Sequence, residues 1–171
     1  MSEPILDPGY WAGRLASAAE EHQAIFRCPL ATWREIEQRH REILAGLILP
    51  GDSVLDVGCG WGRLIDLMPQ EWVGTYAGVD ICPEFVRLAR ERHGRRGIFV
   101  NYEAVDVVGT MAEGFPQYGA KFDWAIMVSF RPMVRRNLGD EYWNELETEI
   151  RKSASKLLYL EYDAQDNGSV E

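Results

Sequence analysis

Cysteine is scarce in this chain: three among 171 residues, an odd number, with no paired metal-ligand spacing. That excludes a disulfide-stapled scaffold and a cysteine-held zinc, and it implies free thiols in a reducing cytoplasm. Long apolar runs are missing too. None approaches the ~20 residues of a membrane span, so no membrane partner is expected. The opening, Met1 to Pro8, has neither a basic nor an apolar region and does not read as a secretory leader. Positive charge is also short, with 18 Lys and Arg against 27 Asp and Glu, a net charge of −9. A protein that grips a nucleic-acid backbone carries a basic footprint, so nucleic acid is not an expected partner. One local exception is the cluster Arg87, Arg90, Arg92, His93, Arg95 and Arg96. It reads either as a solvated helix face, balanced by Glu84 and Glu91, or as a phosphate patch. Its place at the end of a helix feeding the next strand, away from the edge where ligands bind, favours the face.

What is there is an ordinary globular composition, 46% hydrophobic and 26% charged, at a length suited to one domain. The single domain is expected to span 1–171: a helical cap or lid over 1–49, a core over 50–162 and a frayed tail over 163–171. Tyr10 to Phe26 is helical in period, with Trp11 and Leu15 on one stripe. Cys28-Pro29 interrupts it, and a second helix runs from Ala31 to Leu49, expected on one face of the sheet. Strands are expected at Val54–Val57, Thr75–Val79, from Ile98, at Phe122–Val128 and at Lys156–Tyr162, with helices at 64–68, from Pro83 and over Glu141–Lys152. Strands that read as near-continuous apolar runs between helices imply an α/β, doubly wound parallel Rossmann-like sheet.

Three alternating glycines, Gly58, Gly60 and Gly62, follow the first strand directly. Such a turn frees the backbone for dihedrals a side chain forbids and lets a ligand approach the main chain. With the helix behind it, it makes a nucleotide-type cradle of N–H groups. The dinucleotide fingerprint requires a small residue where Arg63 stands, which disfavours a nicotinamide cofactor. The acid Asp56 lies inside the strand and a second, Asp80, follows 24 residues on. Asp56-x-Gly58-x-Gly60-x-Gly62 with Asp80 resembles motif I and the acidic motif of class I S-adenosylmethionine-dependent methyltransferases, over roughly Leu47 to Tyr162.

That resemblance implies S-adenosylmethionine as cofactor, a sheet in the order 3-2-1-4-5, and loop residues Gly58, Cys59, Gly60 and Gly62 presenting N–H groups to the donor's amino-acid end. Asp56 orders that loop or meets the donor's amino group through water. Asp80 meets the two ribose hydroxyls, or caps the helix at Pro83. Ile81 walls the adenine, and Asp106, with Glu103 as rival, accepts from the adenine amino group. Ser129 offers its backbone to the methionine end. Tyr10, Trp11 and Arg14 close over the ligand, the aromatics toward the sulfonium and the arginine toward a carboxylate, or they simply pack. No base stands out among the three histidines, so no catalytic residue is assigned.

Ser129-Phe130-Arg131-Pro132 lacks the motif of amino-directed nucleic-acid methyltransferases, and no Pro-Cys nucleophile or fourth-strand acid marks the cytosine or metal-dependent subclasses. The default is methyl transfer to a small-molecule substrate; the alternative is a non-catalytic S-adenosylmethionine-binding subunit. The family's sheet normally has seven strands, whereas nine residues follow Tyr162. The resulting sheet, shortened at the C-terminus, would expose the fifth strand's edge, to be covered by the tail or by a second copy in a homodimer.

Overall fold

The computed structural model describes residues 5, 7–26, 28–101, 121–161 and 169–170. Strands β1 (Val54–Val57), β2 (Tyr76–Asp80), β3 (Ile98–Asn101), β4 (Phe122–Val128), β5 (Ala154–Leu160) and β6 (Ser169–Val170) form one sheet in the order β3-β2-β1-β4-β5-β6. The first five are parallel, in the expected order. β6 runs antiparallel, pairing Leu158 with Val170 and Tyr159 with Ser169. The frayed tail is thus corrected at these two residues, which cover part of the β5 edge.

Side chains along each strand alternate between two cores, as the pleat requires. Leu55, Val57, Ala77, Val79, Ala125, Met127, Leu157 and Tyr159 enter one cluster with α5 (Phe130–Ser153) and the N-terminal segment. Val54, Tyr76, Trp124, Ile126, Leu158 and Leu160 enter the other with α3 (Arg63–Leu67) and α4 (Pro83–His93). Every β1 residue is buried, and each such aliphatic side chain contributes about 1.5–3 kcal/mol. Among the described residues no helix is long and apolar enough to cross a membrane.

Four features differ from expectation. α1 (Pro8–Ser17) begins at an Asp7 cap, whose carboxylate accepts from Gly9 N–H at 2.8 Å, with proline in the first turn. It stops at Ser17 instead of running to Phe26, and the chain turns back through a 3₁₀ turn at Glu21–Ala24. The Ser17 hydroxyl donates to the Gly13 carbonyl, and Arg14 reaches forward to the carbonyls of Gln23 and Ile25. Such side-chain-to-backbone bonds compete with helix continuation.

α2 (Leu30–Leu47) does not lie on one face: Trp33 enters the first cluster and Leu44 the second. α5 starts at Phe130, eleven residues before its expected start, because Pro132 falls in the first turn, where a missing N–H costs nothing. Gly139, at φ 89° and ψ 169°, interrupts it. β5 is displaced two residues toward the N-terminus, so Glu161 leaves the strand. Asp106 and Glu103 lie outside the described residues.

Candidate donor site at the carboxyl edge of the sheet

Register places the candidate residues. Val57 pairs with Val79 on one side and Met127 on the other, and Val128 pairs with Leu160. Gly58, Asp80, Ser129 and Glu161 therefore crowd one edge. Gly58, Gly60 and Gly62 take φ of 79°, 53° and 83°, the left-handed region that favours glycine. A Cβ on Gly58 would come within 2.9 Å of the Phe130 ring, and one on Gly60 within 3.0 Å of Ile25. The loop is thus overlaid from the β4–α5 turn and from the N-terminal segment.

Four loop N–H groups are bonded within the protein. Gly58 and Cys59 both donate to the Val79 carbonyl, Gly60 donates to Asp80 Oδ2 at 2.8 Å, and Gly62 donates to the Cys59 carbonyl. A buried N–H requires a partner, and these four find one inside the protein. α3, at five residues, adds little dipole behind the loop. Cys59 is buried beside Gly78, where a Cβ would meet its Sγ at 2.8 Å. Burial pushes its thiol up, which makes it a packing residue and not a nucleophile.

Asp80 ties the site together. Oδ2 accepts from Gly60 and Oδ1 from Cys82 N–H at 2.8 Å, so the carboxylate braces the loop and the start of α4 at once. Burial raises its pKa to about 6, opposed by N–H groups of Cys82, Gly60 and Ile81. Ile81 is buried beside it. The Asp56 carboxylate accepts from the Tyr76 hydroxyl, and its Oδ1 is buried with no partner among the described residues. Burial raises it to about 7, against the Tyr76 bond and the charge of Arg63.

Tyr10, Trp11 and Arg14 hold the N-terminal segment together. Trp11 is buried and its indole donates to the Ile5 carbonyl, while the Arg14 guanidinium lies 5.3 Å from the Trp11 ring and bonds the Gln23 and Ile25 carbonyls. The residue from this segment that stands over the glycines is Ile25, which periodicity did not single out. Arg92 grips Glu21 through two bonds of 2.6 and 2.8 Å and fastens the segment to α4. The rest of the basic cluster is a structural face: Arg87 pairs with Glu91, Arg96 with Asp66, and Arg90 donates to the Phe99 carbonyl. A hollow of about 490 Å³ lined by Arg14, Ser17, Gln23 and Cys28 sits on this segment, apart from the strand-end residues.

On the far side, Ser129 takes φ 51° and donates its N–H to the Leu160 carbonyl at 2.8 Å. Behind it Arg131 lies 4.2 Å over the Tyr159 ring and 3.5 Å from Glu161, a carboxylate only 3% exposed. Sequence reasoning missed this group. Its signal was an acid just past an apolar strand, the same signature as Asp80, hidden because the strand was drawn through it.

The methyltransferase-domain family matches residues 54–149, more than half of the chain. A ubiquinone biosynthesis O-methyltransferase of Xanthomonas campestris pv. campestris (strain B100) is 37% identical over 71 residues, 42% of this chain and 29% of that protein. A ribosomal protein L11 methyltransferase of Burkholderia thailandensis is 38% identical over 65 residues, 38% of this chain and 22% of that protein. The chain thus spans under a third of the length of these curated relatives. Magnesium protoporphyrin IX methyltransferase from Synechocystis PCC 6803, solved with bound S-adenosylmethionine, superposes with a TM-score of 0.57 at 18% identity, covering 88% of this chain and 68% of that one. At that identity the likeness is one of fold.

Proposed function

Because the chain belongs to the class I S-adenosylmethionine-dependent methyltransferases, we propose that it transfers the donor's methyl group to a small-molecule acceptor at the carboxyl edge of β1, β2 and β4. The observation that carries the reading is the bond from Gly60 N–H to Asp80, which locks a positive-φ glycine turn against a buried carboxylate at the end of the next strand. That is the arrangement an adenosyl ligand needs: close main-chain approach beside an acceptor pair for vicinal hydroxyls. Gly60 N–H and Cys82 N–H hold the Asp80 carboxylate at the strand end, where ribose hydroxyls would meet it. Ile81 supplies an apolar wall for the base, and Asp106 is the proposed partner of its amino group.

When bound, the donor supplies an already activated sulfonium methyl, so the protein's work is alignment and exclusion of water. Gly58, Gly60 and Gly62 contribute main chain alone to the floor, and Cys59 keeps its side chain buried against Gly78. Ile25 and Phe130 roof it with apolar surface, and Tyr10, Trp11 and Arg14 fix the segment that carries Ile25. Ser129 turns the chain at the end of β4, where the Phe130 ring lies against Gly58. Asp56, bonded to Tyr76, keeps β1 in register beneath it.

The small-molecule acceptor is supported by the net charge of −9, which opposes nucleic acid, and by the ubiquinone and protoporphyrin relatives. Mass spectrometry of a metabolite extract incubated with the protein and methyl-labelled donor tests it. A small molecule carrying the label is expected. Label found only in protein or RNA, or nowhere although the donor binds, would overturn the reading.

A further inference from the structure

Ile25 stands over Gly60, whose missing Cβ would lie 3.0 Å from Ile25 Cδ1. A ligand on that side of the loop reaches the main chain only when this side chain lifts. Whatever holds Ile25 down therefore sets how fast such a ligand comes and goes. Ile25 rides on a strap, residues 18–26, that turns back from the end of α1. Arg14 donates to the Gln23 and Ile25 carbonyls, and His22 Nε2 lies 3.1 Å from the Cys28 carbonyl, so the strap is stiffened against its own neighbours. Its inner side chains, His22 and Phe26, are buried and pack on the Trp33 ring of α2, with centroids 5.4 and 4.9 Å away. Its outer side is different. Ile25 is half-buried, and the exposed Glu21 forks onto Arg92 of α4, taking Nη1 on Oε2 at 2.8 Å and Nη2 on Oε1 at 2.6 Å.

The two sides differ in how firmly they hold. Buried aromatic side chains stay packed because lifting them exposes apolar surface. An ion pair whose partners are both 39% exposed is open to water and salt and holds far less. The outer side is thus the one that releases, tilting the strap about its Trp33 contact and raising Ile25 with little loss of apolar burial. We propose that the Glu21–Arg92 pair is the clasp of this strap: closed, it positions Ile25 over Gly60, and its release admits the donor and frees the spent product. The inference rests on the donor-site reading above and adds a gate to it. Both residues act through Ile25 and are positioning residues. A forked arginine–carboxylate pair suits the task, since two parallel bonds fix the angle of the strap as well as its distance. Exposure keeps the pair weak enough to break in each cycle.

Association and dissociation rates of S-adenosylhomocysteine, measured by surface plasmon resonance, test the clasp. This ligand is a zwitterion of no net charge, so salt acts on the ion pair and little on the encounter. Glu21→Gln and Arg92→Met should each raise both rates about fivefold, the upper end of what an exposed pair holds, and leave the affinity within about twofold. Raising the ionic strength from about 0.01 M to about 1 M should speed exchange in the wild type and in neither variant. The charge swap Glu21→Arg/Arg92→Glu should restore slow, salt-sensitive exchange. Arg87→Met breaks the Arg87–Glu91 pair on the same helix and should leave the rates as they are. Unchanged rates in Glu21→Gln and Arg92→Met, even with a lowered denaturation midpoint, would overturn the clasp, as would a charge swap that stays fast. A wild type that binds no S-adenosylhomocysteine would instead overturn the donor-site reading.

Discussion

Asp56 and Asp80 stand on neighbouring strands, two rungs apart, since Asp56 pairs with Gly78. They are similarly buried, at 2% and 7% exposed. Around Asp80 the backbone supplies the partners: the N–H groups of Gly60 and Cys82 each take one oxygen. Around Asp56 it supplies none, and the acid is bonded by the Tyr76 hydroxyl with Oδ1 unmatched among the described residues. Inside a strand the N–H groups are spent on the ladder, whereas the turn past a strand end has N–H groups to aim. The backbone-bonded acid is raised to about 6 and the side-chain-bonded one to about 7. One chemical group thus becomes a brace for a ligand loop at the edge and a core residue two rungs below.

Gly60→Val breaks the edge environment most severely. Valine at φ 53° is strained, and its Cβ would stand 3.0 Å from Ile25. Binding of S-adenosylhomocysteine should be abolished in calorimetry while the far-ultraviolet circular dichroism keeps its helical signature. Retained binding would mean the ligand does not approach this backbone.

Asp80→Ala should be the next largest, costing about 2–4 kcal/mol of binding through two lost charge-assisted bonds and a loosened loop. It should also remove the preference for the adenosyl ligand over its 2′,3′-dideoxy analogue. In the wild type, affinity should weaken as pH falls through about 6, where the free carboxyl takes up its proton. A pH-independent affinity between 5 and 8 would contradict the ribose role.

Asp56→Asn should leave binding within about twofold and act on stability instead. Folding raises this carboxyl from 3.8 to about 7, so the folded protein holds the proton more tightly than the unfolded chain. The stability this contributes is fully present below the unfolded value and is lost as pH rises through the folded one. An uncharged amide escapes that loss. Denaturant titrations should therefore show Asp56→Asn gaining on the wild type between pH 5 and pH 8. A difference that does not change with pH would mean Asp56 is already ionised at the lower value.

Much of this was written locally. The apolar runs of β1, β2 and β4 and the glycines at 58, 60 and 62 determined a parallel sheet with a main-chain ligand turn, because strand periodicity and positive φ are properties of adjacent residues. Asp80 was legible for the same reason, as an acid ending such a run. The sequence could not determine how the polar groups would be spent. Gly60 meets Asp80 twenty residues away, Ser129 meets Leu160, and Arg131 meets Glu161. Arg14, chosen from its place on a helix, was drawn to carbonyls beyond the end of that helix, and Glu161, hidden in a strand reading, emerged beside Arg131. Hydrogen bonds and charge pairs across a sheet edge depend on which strands become neighbours and in what register, so only the tertiary structure decided which of these polar groups meet.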